Sequence, residues 1–189
     1  MFANFCRRGL GRLCMMAGVM NKNLRIVVLV GLILGAVLGM AGTLVNSAFL
    51  RNELWAIDGT ALVVSTIALA LHFFRQECDV LAVGFLVYAI GEAVMLGGTA
   101  SALEASVPAF AAGTALWAVG LALTSWPSVM PIWSRITGAI ASILFGFTSL
   151  QIFAGTLLTP LSKPFPNFAY PFLVLTFVGW FWKTLKTRE

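Results

Sequence analysis

Glu92 is the residue in this chain whose chemistry most needs a reason. In the run LVYAIGEAVMLGG it lies about thirteen residues into an apolar segment, where lipid would surround it. An ionised carboxylate at that depth costs at least ~2.5 kcal/mol on insertion scales, so Glu92 must be protonated, paired or facing water. Gly84, Tyr88 and Thr99 lie near its helical face, and Tyr88, one turn back, could donate to it. Asp58 enters an apolar segment from the other direction and reaches a broadly similar depth. Arg135 stands near the start of a later segment, with a stem long enough to be considered a partner. Glu92, Asp58, Tyr88 and Arg135 therefore form a candidate polar or proton-handling site. A structural hydrogen bond from Glu92 is the competing reading.

A second pattern is a polar seam. Asp58, Ser65 and His72 recur at intervals of seven, as do Arg135, Ser142 and Ser149. Fourteen helical residues fall only about 40° out of register over roughly 21 Å, so each trio shares one face. Either the two faces line a hydrated path, or the serines bond to backbone carbonyls. His72 is the only histidine, which argues against a metal site. No nucleophile triad or nucleotide loop is present, so no catalytic residue and no cofactor are assigned. An enzyme acting on lipid or quinone would need convergent groups that one histidine does not supply.

The elements that must hold these residues follow from composition. Sixty per cent of the 189 residues are hydrophobic and ten per cent charged, with a mean hydropathy of +0.95. A soluble domain is about 25% charged. The apolar residues form six runs, at about 24–49, 54–74, 80–101, 107–126, 131–155 and 168–182, each near the roughly 20 residues that cross a bilayer. This predicts an all-α integral membrane protein, a six-transmembrane-helix bundle spanning 24–182, and not a barrel of alternating strands. Short breaks at 51–53, 75–79, around Glu104, 126–131 and 159–167 predict antiparallel neighbours in sequence order. An inverted repeat of two three-helix halves is at most faint, with Asp58 and Arg135 each four residues into the second helix of its half.

With the N-terminus inside, ten lysines and arginines (Arg7, Arg8, Arg12, Lys22, Arg25, Arg75, Arg135, Lys183, Lys186, Arg188) gather on the cytoplasmic side and only Arg51 and Lys163 on the other. That asymmetry predicts both termini in the cytoplasm, in a plasma membrane of bacterial inner-membrane type. It also attributes the net charge of +5 to topology and lipid rather than nucleic acid. Trp126, Trp133, Trp180 and Trp182 are placed at the same interface. Residues 1–23 read as a basic tail, with a start near Met20 as the alternative, and 183–189 as a second tail. The first apolar run is too long for a signal peptide. Cys6, Cys14 and Cys78 fall on the reducing side without CxxC spacing and are expected to stay unpaired.

Gly31, Gly35, Gly39, Thr43 and Ser47 repeat every four residues along the first span. Such a stripe lets backbones approach closely, against another helix of this chain or a second copy, while Leu32 and Leu34 lie off it. Function then divides between small-solute, ion or proton transport and a non-catalytic scaffold or accessory subunit. The bilayer is the one sure partner, with a second copy or another membrane protein as the further expectation.

Overall fold

A computed structural model of the protein describes residues 20–186. Six helices follow one another: α1 (Lys22–Leu44), α2 (Ala48–Phe74), α3 (Asp79–Gly98), α4 (Val107–Ser125), α5 (Ile132–Phe153) and α6 (Tyr170–Lys186), the last entered through a single 3-10 turn, Asn167–Ala169. Counting that turn with α6, all six are long and apolar enough to cross a membrane, and no strand occurs among the described residues.

The helix ends have local causes. The first break falls at residues 45–47 rather than 51–53, because Ser47 caps α2 by accepting a hydrogen bond from the Leu50 amide at 3.3 Å. Ser47 is therefore a cap rather than the last member of the α1 stripe. Asp58 lies eleven residues into α2, not four. α5 stops where Gly155 takes φ +95°, a left-handed conformation that lets the Thr156 amide reach back to the Gln151 carbonyl at 2.9 Å. α6 runs on to Lys186, so Lys183 and Lys186 form its last turn rather than a tail. There they oppose the negative end of the helix dipole.

The helices form a closed ring. Each packs on its neighbours in sequence, and α6 returns to α1. The Arg25 guanidinium, one turn into α1, donates to the Leu185 carbonyl at the end of α6, at 2.6 Å. Both ends of the helical domain thus lie at one end of the bundle (the terminal end), together with the turns at 75–78 and 126–131. Residues 45–47, 99–106 and 154–166 form the opposite, loop end.

Small residues set two of the helix contacts. Along α1, a side chain at Gly31 would overlap Ser65, one at Gly35 would overlap Leu62, and one at Gly39 would come within 2.7 Å of Asp58 Oδ2. The stripe's partner is therefore α2 of the same chain. Leu32, off the stripe, is also buried, whereas Leu34 faces outward. The second contact, between α3 and α4, escapes the sequence reading. A Cβ at Gly91 would lie 3.0 Å from the Gly113 carbonyl oxygen, one at Gly113 3.0 Å from the Gly91 oxygen, and one at Gly120 2.9 Å from the Gly84 oxygen. Two pairs of glycines seven residues apart hold these backbones together.

Large rings fill the interior toward the terminal end. Tyr88 stacks on Trp117 with centroids 5.4 Å apart and meets Phe177 and Trp180 edge to face. Trp180 also meets Phe85, which stacks on Phe73. Trp180, placed at the interface from sequence, is instead 1% exposed within this cluster, while Trp126, Trp133 and Trp182 do face outward. The physical reason is the helical turn: Phe177 and Trp180 share the inner face of α6, and Trp182 points away. Cys78, in the α2–α3 turn, is also corrected. It is disulfide-bonded and buried, not a free thiol. Cys6 and Cys14, with the rest of residues 1–19 and 187–189, lie outside the described residues.

Candidate functional site

The site is built from the inner faces of α2 and α3. Glu92 is buried, and its Oε1 accepts a hydrogen bond from the Tyr88 hydroxyl at 3.1 Å. The two residues are one turn apart on α3, so the helix itself sets this geometry. Its other carboxyl oxygen, Oε2, points toward α2, 3.7 Å from where a Cβ would stand on Gly59. The neighbouring Asp58 faces Gly39 of α1. One turn before Asp58, the Trp55 indole donates to the Gly39 carbonyl at 3.3 Å. Asp58 Oδ1 is shielded from the surface without a hydrogen-bond partner among the described residues, as is the indole nitrogen of Trp117.

Both carboxyls border a partly open cavity of about 110 Å³ in the loop-end half of the ring. α1 contributes Gly39 and Thr43, α2 Trp55 and Leu62, α3 Met95, α4 Phe110 and Trp117, and α6 Tyr170 and Phe177. Among the described residues its lining holds two acids and no lysine, arginine or histidine. Arg51 lies over the Trp55 ring, 5.7 Å from its centroid, but does not line the space. Trp117 and Phe177 line the cavity and also touch the Tyr88 ring, Trp117 stacked on it and Phe177 edge to face. Tyr88 is thus shared, its ring in the packed cluster and its hydroxyl on Glu92.

Arg135 is not brought to this site. It donates from Nε to the Ser125 carbonyl and from Nη2 to the Trp126 carbonyl, each at 2.9 Å, and so caps the end of α4. No residue of α5 lines the cavity. Nor do the two serine faces meet, because α2 and α5 are not neighbours in the ring. Ser65 donates to the Ala61 carbonyl at 2.7 Å, Ser142 to Ala118 of α4 at 2.6 Å and Ser149 to Gly146 at 2.9 Å. His72 is buried near the terminal end, with Gln76 Nε2 2.8 Å from its Nε2. Thr43 donates to Met40 of its own helix at 2.7 Å. No group of three metal-ligating side chains occurs among the described residues.

Trp55, Gly59, Trp117 and Tyr170 were not singled out in the sequence. Trp55 and Gly59 carried a signal, since each shares the Asp58 face or adjoins it on α2. No protein-family model matches the chain, and no curated protein or solved structure shows a significant match to it.

Proposed function

We propose that this multi-pass membrane protein moves protons or a small cation, using Asp58 and Glu92 as its exchange site, and that it is not an enzyme. The observation that carries this reading is the cavity itself: two carboxyls face one largely apolar space with no basic side chain in its lining among the described residues. In such surroundings an unpaired carboxylate is costly. Each acid keeps its proton until a cation takes its place, and each ionised carboxyl releases one proton. Competition between proton and cation for the same oxygens is the elementary step of exchange. The ring cluster beneath the cavity restricts the path on the terminal side, so passage requires Tyr88 or its neighbours to shift.

Orientation rests on charge. Lys22, Arg25, Arg75, Arg135, Lys183 and Lys186 stand at the terminal end, against Arg51 and Lys163 at the loop end, which favours a cytoplasmic terminal end and a cavity facing outward across a plasma membrane. The disulfide at Cys78 lies at that same end. Alkaline phosphatase fused after Asn46, Glu104 or Lys163 should be active, and after Gln76, Ser128 or Lys186 inactive. The reverse pattern would put Cys78 in an oxidising compartment and invert the orientation.

The functional test is flux in proteoliposomes followed with a pH-sensitive dye. Glu92→Gln keeps the shape and the Tyr88 hydrogen bond but cannot titrate. It should remain folded and lose flux to the protein-free background. Glu92→Ala should also lose stability, by about 1–3 kcal/mol, because the buried Tyr88 hydroxyl loses its acceptor. A fully active Glu92→Gln protein would reduce Glu92 to a structural hydrogen bond and favour a scaffold.

A further inference from the structure

The walls of the cavity say more about its occupant than the two acids alone. Resting on the exchange reading above, we propose that the cavity binds a protonated amine carrying a single-ring or similarly small apolar body, with the ammonium at Asp58 and Glu92.

Three observations converge on that chemistry. The first is charge: among the described residues, Asp58 and Glu92 supply the only ionisable groups of either sign in the lining apart from Tyr170, so a positively charged guest is the one that offsets them. The second is hydrogen bonding. Asp58 Oδ1 lacks a donor, and Glu92 Oε1 already has Tyr88. A guest with N–H groups can satisfy the Asp58 carboxylate once the side chain turns Oδ1 to the cavity, whereas a quaternary ammonium brings charge without a donor. The third is the wall. Trp55, Phe110, Tyr170 and Phe177 present rings, with Leu62 and Met95 one turn beyond the two acids. Rings stabilise an ammonium through their faces and an organic body through contact area.

A bare metal ion fits poorly, since a hard cation takes about six or more oxygen ligands. The lining supplies two carboxyls, and no group of three metal-ligating side chains occurs among the described residues. Size sets the upper limit. The space of about 110 Å³ is somewhat smaller than the engineered cavity of about 150 Å³ that holds benzene, and its partly open side gives a short chain room to extend. When the amine enters as its cation, it keeps all three N–H bonds. The proton that leaves is the one held by the carboxyl that ionises.

Benzylamine is the probe, with benzyl alcohol as its neutral counterpart, benzyltrimethylammonium as a cation without N–H, and Na⁺ as a bare ion. Binding to the purified, detergent-solubilised protein is followed by calorimetry, and proton release by the pH of a weakly buffered sample. Benzylammonium should bind roughly thirtyfold more tightly than benzyl alcohol, release protons, and lose that advantage in Asp58→Asn. Arg135→Ala, outside the site, should bind as the unmodified protein does. Thermal unfolding without ligand checks that Asp58→Asn is folded, and Glu92→Gln provides a second route if it is not. Equal binding of alcohol and amine would overturn the proposal, as would equal binding of the quaternary cation. Proton release on adding Na⁺ without any response to benzylamine would sink the amine while leaving the exchange reading intact. No proton release with any cation, together with full flux in Glu92→Gln, would sink both.

Discussion

The two halves of the bundle solve the same interior problem in opposite ways. Toward the terminal end, Phe73, Phe85, Tyr88 and Trp180 fill the ring with aromatic contacts. Toward the loop end, five of the six helices, all but α5, leave a space and turn two carboxyls toward it. Water supplies little driving force for association inside a bilayer, so close packing and satisfied polar groups must stabilise the bundle. The filled half has the close packing, although the Ser125 hydroxyl there lacks a partner among the described residues. The hollow half forgoes contact area and leaves Asp58 Oδ1 without a partner among the described residues, as the proposed exchange site requires at some cost in stability.

The contrast can be tested by emptying one half and filling the other. Trp180→Ala should be the most damaging change, lowering unfolding stability by about 3–5 kcal/mol. Phe110→Ala, beside the existing cavity, should cost less than half as much; equal losses would show that the loop-end half is packed as tightly as the other. Gly120→Leu should come next, at about 1–3 kcal/mol or more, because its side chain would be driven into the α3 backbone near Tyr88.

How much of this was legible in the sequence depends on what a pattern can encode. The α1 stripe was visible because three glycines at intervals of four mark one face, and α2 was its partner. The α3–α4 contact was not, because Gly84, Gly91, Gly113 and Gly120 look isolated on their own helices and gain meaning only when paired. Depth could be read for Glu92 by counting residues from the helix end. Azimuth could not, and azimuth is what brings Glu92 and Asp58 to one cavity. Arg135 shows the same limit: its position near a helix start was right, yet its stem turns to the carbonyls of Ser125 and Trp126 rather than inward. The seam of α2 and α5 assumed a contact that ring order does not provide.

Smaller changes sharpen the comparison further. Asp58→Leu should raise the thermal midpoint, by the equivalent of about 1–2 kcal/mol, since a buried oxygen without a partner is replaced by carbon. The same variant should have no flux. Higher stability with flux retained would break the link between hollowness and function. Arg135→Ala, which loosens the cap on α4, should cost about 1 kcal/mol and leave flux unchanged. Gly97→Ala should have the smallest effect and the opposite sign, stabilising by about 0.5–1 kcal/mol, because nothing lies within 4 Å of the added carbon.

The meeting of α1 and α6 has a consequence for how the chain could be rewired. Because Arg25 reaches the Leu185 carbonyl, the first and last helices are neighbours in space, and the order of helices around the ring has no intrinsic beginning. A short linker joining residue 186 to residue 22 would make the path circular. It could then be cut between α2 and α3 or between α4 and α5, and the new ends would emerge on the same face of the bilayer as the old ones. Such permutants would keep the interhelical contacts and the flanking charges of residues 22–186. A cut at residues 99–106 would instead deliver both ends to the opposite face, setting the order of insertion against the lysines and arginines that orient the native chain.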